Sequence, residues 1–178
     1  GGIIITASHN PRDYNGFKMF GRGGQPLTVA NDLPTPCPEN ELERLALSLK
    51  KRSIPQTLSW EDFAPDYAAT TLARGDCDFE AATDGASEPM KVAVEAGNGM
   101  GGPIMKEVAK LIPQFDWTFS NDRPDGSFPL IVPNPLNAEY QEMVADLVRE
   151  TGADVGVCFD GDADRVGIID ENGEMASP

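Results

Sequence analysis

The sequence predicts an α/β fold, with α/β/α layered domains built on mixed, largely parallel sheets. Three observations lead there. From residue 91 onward, short apolar or alternating runs take turns with segments of helical periodicity in the order β-α-β-α-β. Glycine or proline marks each change of period. At 178 residues the chain is long enough to bury a core, as one large domain or two small ones.

The elements follow in order. Gly1-Gly2-Ile3-Ile4-Ile5 reads as a buried strand ending at the polar run Thr6-Ala7-Ser8-His9-Asn10-Pro11. Residues 21–26 are a glycine-rich turn, and 31–38 a proline-rich loop. Over 39–52, Leu42, Leu45, Ala46 and Leu49 form a helical stripe, with acids early and bases late as the helix dipole prefers. A second helix is expected over about 60–74, with Ser59 as cap and Tyr67, Thr71 and Leu72 on one face. Residues 75–89 are polar and small, which suits a domain junction.

Beyond it, residues 91–96 are a strand followed by the glycine turn 97–102. A helix then begins with Pro103 in its first turn, carrying Ile104, Val108, Leu111 and Ile112 on one face. Phe115, Trp117 and Phe119 alternate as a strand. Asn137 can cap a helix that turns Tyr140, Val144, Leu147 and Val148 inward and ends before Gly152. Residues 155–159 are a buried strand, 166–170 another, and Asn172-Gly173 a hairpin turn. The expected division is residues 1–75 as the later part of one domain, 76–89 as linker and 90–178 as a second domain. The chain starts inside an apolar strand without an initiator Met and ends after a hairpin signal, so it reads as an internal piece of a longer protein.

The formal net charge of −15 argues against nucleic acid or an anionic membrane surface as partner. The first 24 residues run the other way, with Arg12, Lys18 and Arg22 against Asp13 alone, an island that suits an anionic ligand. Cys37, Cys77 and Cys158 are odd in number and far apart, as expected of reduced thiols in a cytoplasmic protein. No apolar run approaches the roughly 18 residues that would span a bilayer.

Two stretches carry chemistry. The first puts Ser8, His9 and three cations close together on a loop leaving a strand; by itself it also fits an ordinary polar turn. The second is Asp160-Gly161-Asp162-Ala163-Asp164-Arg165, three carboxylates at alternate positions after a buried strand. Such oxygens repel one another unless a hard cation sits among them, Mg²⁺ or Ca²⁺ before zinc. With Asp160 as position 1, Glu171 falls at position 12 of a calcium loop, but Arg165 stands where that loop needs glycine, and strands flank it. A third stretch, Gly97-Asn98-Gly99-Met100-Gly101-Gly102, satisfies the dinucleotide fingerprint, and Asp122 stands 20 residues past Gly102 as the fingerprint's acid. It equally suits a turn that packs a helix close to a strand.

Residues 6–11 with Asp13-Tyr14-Asn15-Gly16-Phe17-Lys18 resemble the serine loop of the α-D-phosphohexomutases, the phosphoglucomutase/phosphomannomutase superfamily. Residues 160–165 resemble that family's metal loop, and residues 94–101 the opening of its second domain. The three occur in the family's order and nearly span the chain, and the glycine stretch then reads as a structural turn. The resemblance implies a Mg²⁺-dependent mutase that interconverts hexose 1- and 6-phosphates of glucose or mannose through a phosphoserine and a bisphosphorylated sugar. It makes Ser8 the phosphoryl carrier, and Ser8, Asp160, Asp162 and Asp164 the metal ligands. Lys18 and Arg165 would face the transferring phosphoryl group, with His9 assisting. The partners implied are a sugar phosphate and the remaining domains of a longer chain; a fragment without them is expected to be inactive. Phosphoglucosamine mutase is the alternative within the family, and a dinucleotide-binding module on Gly97 to Gly102 the alternative outside it. Ala163 stands where the family commonly has glycine, and Arg12 where many members have a second proline.

Overall fold

A computed structural model describes residues 1–7, 10, 13–27, 61–75 and 88–176. Ser8, His9, Arg12, Cys37, Cys77, the helix expected over 39–52, the Ser59 cap and most of the 76–89 stretch lie outside the described residues. The chain divides into two compact units, Gly1–Thr6 with Asn15–Glu61, and Ala7–Tyr14 with Asp62–Pro178.

In the first unit, β1 (Gly2–Ile5) pairs antiparallel with β2 (Phe17–Phe20), Ile4 opposite Lys18. One step past the ladder the Thr6 N–H donates to the Gly16 carbonyl at 3.0 Å, which closes the base of the intervening loop. Gly23 and Gly24, at φ 77° and 76°, make the glycine-rich turn after β2. The expectation of a buried first strand is corrected: Ile3 and Ile5 are 66% and 65% exposed. Pairing in a two-stranded sheet satisfies the backbone but covers neither face, and no described residue of this unit lies over one.

The second unit opens with α1 (Ala64–Arg74), which starts four residues later than the periodicity suggests. Pro65 sits in its first turn, where a missing N–H costs nothing. Its covered stripe is Ala64, Ala68 and Leu72, whereas the expected Tyr67 and Thr71 are exposed. α1 packs against α2 (Gly101–Leu111), so the boundary between compact units falls after Glu61, ahead of the 76–89 stretch. On α2, Leu111 is exposed and the next residue, Ile112, is buried.

The sheet of this unit has strand order β4-β3-β5-β6, formed by β3 (Lys91–Glu95), β4 (Asp116–Ser120), β5 (Val155–Phe159) and β6 (Val166–Asp170). β3 runs parallel to both β4 and β5, and β6 returns antiparallel on β5. This is the mixed, largely parallel sheet expected. α2 joins β3 to β4, and α3 (Ala138–Thr151) joins β4 to β5 on the other side of β3, an arrangement in which the usual right-handed crossovers put the two helices on opposite faces. The α3 side holds the larger core: Ala93, Tyr140, Val144, Ala145, Val148, Ala153, Cys158 and Ile169. A Cβ on Gly156 would lie 2.5 Å from Val148 Cγ2, so glycine there lets α3 lie close on β5. Asn137 caps α3 by accepting from the Glu139 and Tyr140 N–H groups at 2.8 and 3.4 Å, and Gly152 ends it at φ 62°. No described helix is long and apolar enough to cross a membrane.

Candidate metal centre

With β4 on one side of β3 and β5 on the other, the sheet's switch point lies at the carboxyl ends of β3 and β5, where ligands bind in such folds. Two loops leave the sheet there, residues 96–100 and residues 160–165. The second is a hairpin loop between β5 and β6, closed by Asp160 N–H to Arg165 O at 3.2 Å and Ala163 N–H to Asp160 O at 3.1 Å. Ala163 takes the turn at φ 60°, a region that an L side chain enters at a cost of roughly 1–2 kcal/mol.

That turn gathers the three aspartates. Asp160, Asp162 and Asp164 each offer a carboxylate oxygen, all within 4.8 Å of one another, from a buried, a half-buried and an exposed position respectively. Asp160 is the anchored member. Its Oδ1 accepts the Arg165 backbone N–H and its Oδ2 the Arg165 Nε–H, both at 3.0 Å. Arg165 Nη2 lies 2.9 Å from Oδ2 but without hydrogen-bond geometry, and it is a buried nitrogen without another partner among the described residues. Arg165 Nη1 donates to Asn134 Oδ1 at 3.2 Å, which pins the guanidinium at both ends. Asp164 Oδ1 is 3.8 Å from Arg165 Nε. Burial pushes the Asp160 carboxyl above its ordinary pKa and Asp162 adds to the rise, while Arg165 opposes both.

Asp160, Asp162 and Asp164 thus gather three carboxylates beside the Arg165 guanidinium, from a buried to an exposed position. Oxygens bound to one hard cation at about 2.0–2.6 Å lie no more than about 5 Å apart, so this set fits Mg²⁺ or Ca²⁺. Among the described residues neither histidine nor cysteine joins it, and the all-carboxylate set suits a hard cation better than zinc.

The glycine stretch is filled by protein. A Cβ on Gly99 would meet Gly161 O at 2.8 Å, one on Gly101 the Phe159 ring at 2.7 Å, and one on Gly102 the Asp122 carbonyl at 2.2 Å. The Met100 N–H donates to Gly161 O at 3.0 Å. Asp122, the acid a dinucleotide site would need for ribose, pairs with Lys106. Residues 97–102 therefore buttress the aspartate loop, and their geometry does not favour a pyrophosphate cradle.

Of the other expected site residues, Lys18 is exposed on β2 in the first unit, and Ser8 and His9 lie outside the described residues. Three residues that matter here escape a sequence reading: Asn134, Glu95 and the Tyr140 hydroxyl. Asn134 sits in Pro133-Asn134-Pro135, a turn signal that could have marked it. Glu95, 1% exposed, is an acid at the end of an apolar strand, a position that calls for partners. It accepts from Gly97 N–H at 2.8 Å and from the Asn121 amide at 3.0 Å.

Comparison with known proteins settles the class. Residues 65–173 match "Phosphoglucomutase/phosphomannomutase, alpha/beta/alpha domain II" and residues 1–33 match domain I of the same family. The chain belongs to the phosphoglucomutase/phosphomannomutase family. It is 31% identical over 182 residues to the phosphomannomutase of Vibrio cholerae, covering 98% of this chain and 36% of that one. It is 33% identical over 189 residues to the phosphoglucosamine mutase of Alkaliphilus oremlandii, again covering 98% and 36%. Among solved structures, a phosphoglucomutase/phosphomannomutase family protein from Burkholderia thailandensis superposes with a TM-score of 0.64 at 27% identity, over 97% of this chain and 34% of that one. The chain thus spans a little over a third of the length of these curated relatives.

Proposed function

We propose that this chain carries the phosphoserine loop and the metal loop of a cytoplasmic, Mg²⁺-dependent phosphohexomutase that interconverts hexose 1-phosphate and hexose 6-phosphate. One observation carries the reading: three aspartates each offering a carboxylate oxygen within 4.8 Å of the others, with Asp160 held by Arg165, at the sheet's switch point in a chain of this family.

Phosphoryl transfer needs in-line positioning and neutralised oxygen charge more than covalent chemistry. Ser8 carries the phosphoryl group on Oγ. A sugar hydroxyl attacks that phosphorus, the P–Oγ bond breaks as the new P–O bond forms, and the hydroxyl proton is released with help from His9. The bisphosphorylated sugar turns over and returns its other phosphoryl group to Ser8. Asp160, Asp162, Asp164 and the Ser8 phosphate would hold Mg²⁺, which supplies charge neutralisation on the phosphoryl oxygens. Lys18 and Arg165 add positive charge on the remaining oxygens. Glucose and mannose phosphates are the proposed substrates, in line with the phosphomannomutase relatives; glucosamine phosphate is the alternative, supported by the 33% identical relative of that name.

Intact-mass measurement after incubation with a hexose 1,6-bisphosphate tests the serine directly. One added phosphate that disappears in Ser8→Ala is expected. A phosphate retained in Ser8→Ala would overturn the assignment of the carrier.

A further inference from the structure

Tyr140 is fully buried on α3, yet its hydroxyl is not there for packing. It stands 3.2 Å from the Glu95 carbonyl and 3.1 Å from the Phe159 carbonyl. Those are the terminal carbonyls of two neighbouring parallel strands, just past their last paired residues, Glu95 with Cys158. Beyond that point the ladder no longer ties β3 to β5. The Phe159 carbonyl belongs to the peptide that begins the aspartate loop, and the Glu95 carbonyl to the peptide that begins the glycine turn. We infer that the Tyr140 hydroxyl is a positioning residue for the metal loop: it clamps the ends of β3 and β5 and so fixes where Asp160 leaves the sheet.

The surroundings are built for that hydroxyl. A Cβ on Gly97 would lie 2.7 Å from the Tyr140 oxygen and 2.4 Å from Pro133 Cβ, so only glycine leaves it room. The Glu95 carboxylate, anchored by Gly97 N–H and Asn121, holds the same turn from the other side. The turn in its place meets the aspartate loop through Met100 N–H to Gly161 O at 3.0 Å. Burial, with Glu95 nearby, raises the phenol pKa far above its ordinary value, so the group stays a donor at any working pH. One proton is shared between two carbonyls, and replacing the phenol with a phenyl ring leaves both without it.

The test uses the 178-residue chain, with Val144→Ala as a control that thins the same core without reaching the loop. In Tyr140→Phe, amide exchange across residues 160–165 should accelerate about tenfold, the effect of roughly one lost hydrogen bond on local opening. Mn²⁺ affinity, read by its paramagnetic resonance signal, should fall about tenfold, as for outer-shell partners of metal ligands. Val144→Ala should lower the melting temperature and change neither. Unchanged loop exchange in Tyr140→Phe, or the same acceleration in Val144→Ala, would overturn the inference. Only the Mn²⁺ arm rests on the metal reading of the loop. If the parent chain binds no Mn²⁺ while loop exchange still responds to Tyr140→Phe, the positioning role stands and the metal reading falls. Should Tyr140→Phe fail to fold, Gly97→Ala, which displaces the hydroxyl instead of deleting it, is expected to give the same pair of shifts; its failure to do so would count against the clamp.

Discussion

Arg165 serves two groups at once, and its planar fork is why. Nε and Nη2 face Asp160 while Nη1 reaches Asn134, an arrangement that a single ammonium cannot reproduce. Arg165→Leu would leave the buried Asp160 carboxylate without its cation, and a loss of about 3 kcal/mol in denaturant unfolding is expected. Asn134→Ala, which removes only a hydrogen-bond partner, should cost about 1 kcal/mol in the same measurement. Equal losses for the two would mean that the ion pair contributes little beyond a hydrogen bond. Ala163 poses the opposite case. Its φ of 60° stores roughly 1–2 kcal/mol, whereas glycine would give back about 0.4–1 kcal/mol through greater freedom of the unfolded chain. Ala163→Gly should therefore stabilise the chain slightly, by about 0.5 kcal/mol, and a clear destabilisation would show that the turn is not under strain.

At the scale of elements, the glycine turn and the aspartate loop act as a pair. Gly99→Ala would force a Cβ to 2.8 Å from Gly161 O, so the two loops must separate. The expected signature is a drop in Mn²⁺ affinity larger than that of Asn137→Ala, which removes the α3 cap for about 1 kcal/mol far along the helix. Equal cation affinity in the two variants would disprove the coupling. Much of this architecture was legible in the sequence because local rules and tertiary packing agree in the second unit. The strands and helices after residue 90 follow their periods, Asn137 and Gly152 cap as their chemistry suggests, and the aspartates fall at alternate positions after an apolar strand. The misreadings have a common cause. Periodicity identifies an apolar face but not what covers it, hence Tyr67, Leu111 and Ile3 are exposed although each belongs to an apolar run. Nor can a linear pattern show that the inward-facing Tyr140 reaches two strand ends with its hydroxyl, or that the fingerprint glycines are filled by Phe159, Gly161 and Asp122. Those contacts join residues distant in sequence, and only the fold brings them together.

For the whole molecule, a cation site formed by folding must stabilise the fold. A ligand that binds only the native state at 100 times its Kd contributes about 2.7 kcal/mol, which is a readily measured rise in melting temperature. Saturating Mg²⁺ or Mn²⁺ should produce that rise in the 178-residue chain, and Asp162→Asn with Asp164→Asn should abolish it; the second unit, which holds all three aspartates, is where it should appear. No rise in the parent chain, or an equal rise in the double variant, would remove the cation from this loop. Catalysis is a different demand. Transferring a phosphoryl group between the two ends of a hexose requires the sugar to be held in two orientations, and the walls that would hold it are not supplied by a serine loop and a metal loop. The chain spans 36% of the Vibrio cholerae phosphomannomutase it resembles. It is therefore expected to bind a divalent cation yet turn over little or no hexose phosphate. A coupled assay should give a rate far below that of a full-length family enzyme measured alongside, even when cation binding is saturated. A comparable rate would show that residues 1–178 already hold the sugar, and that the aspartate loop and serine loop form a complete active site.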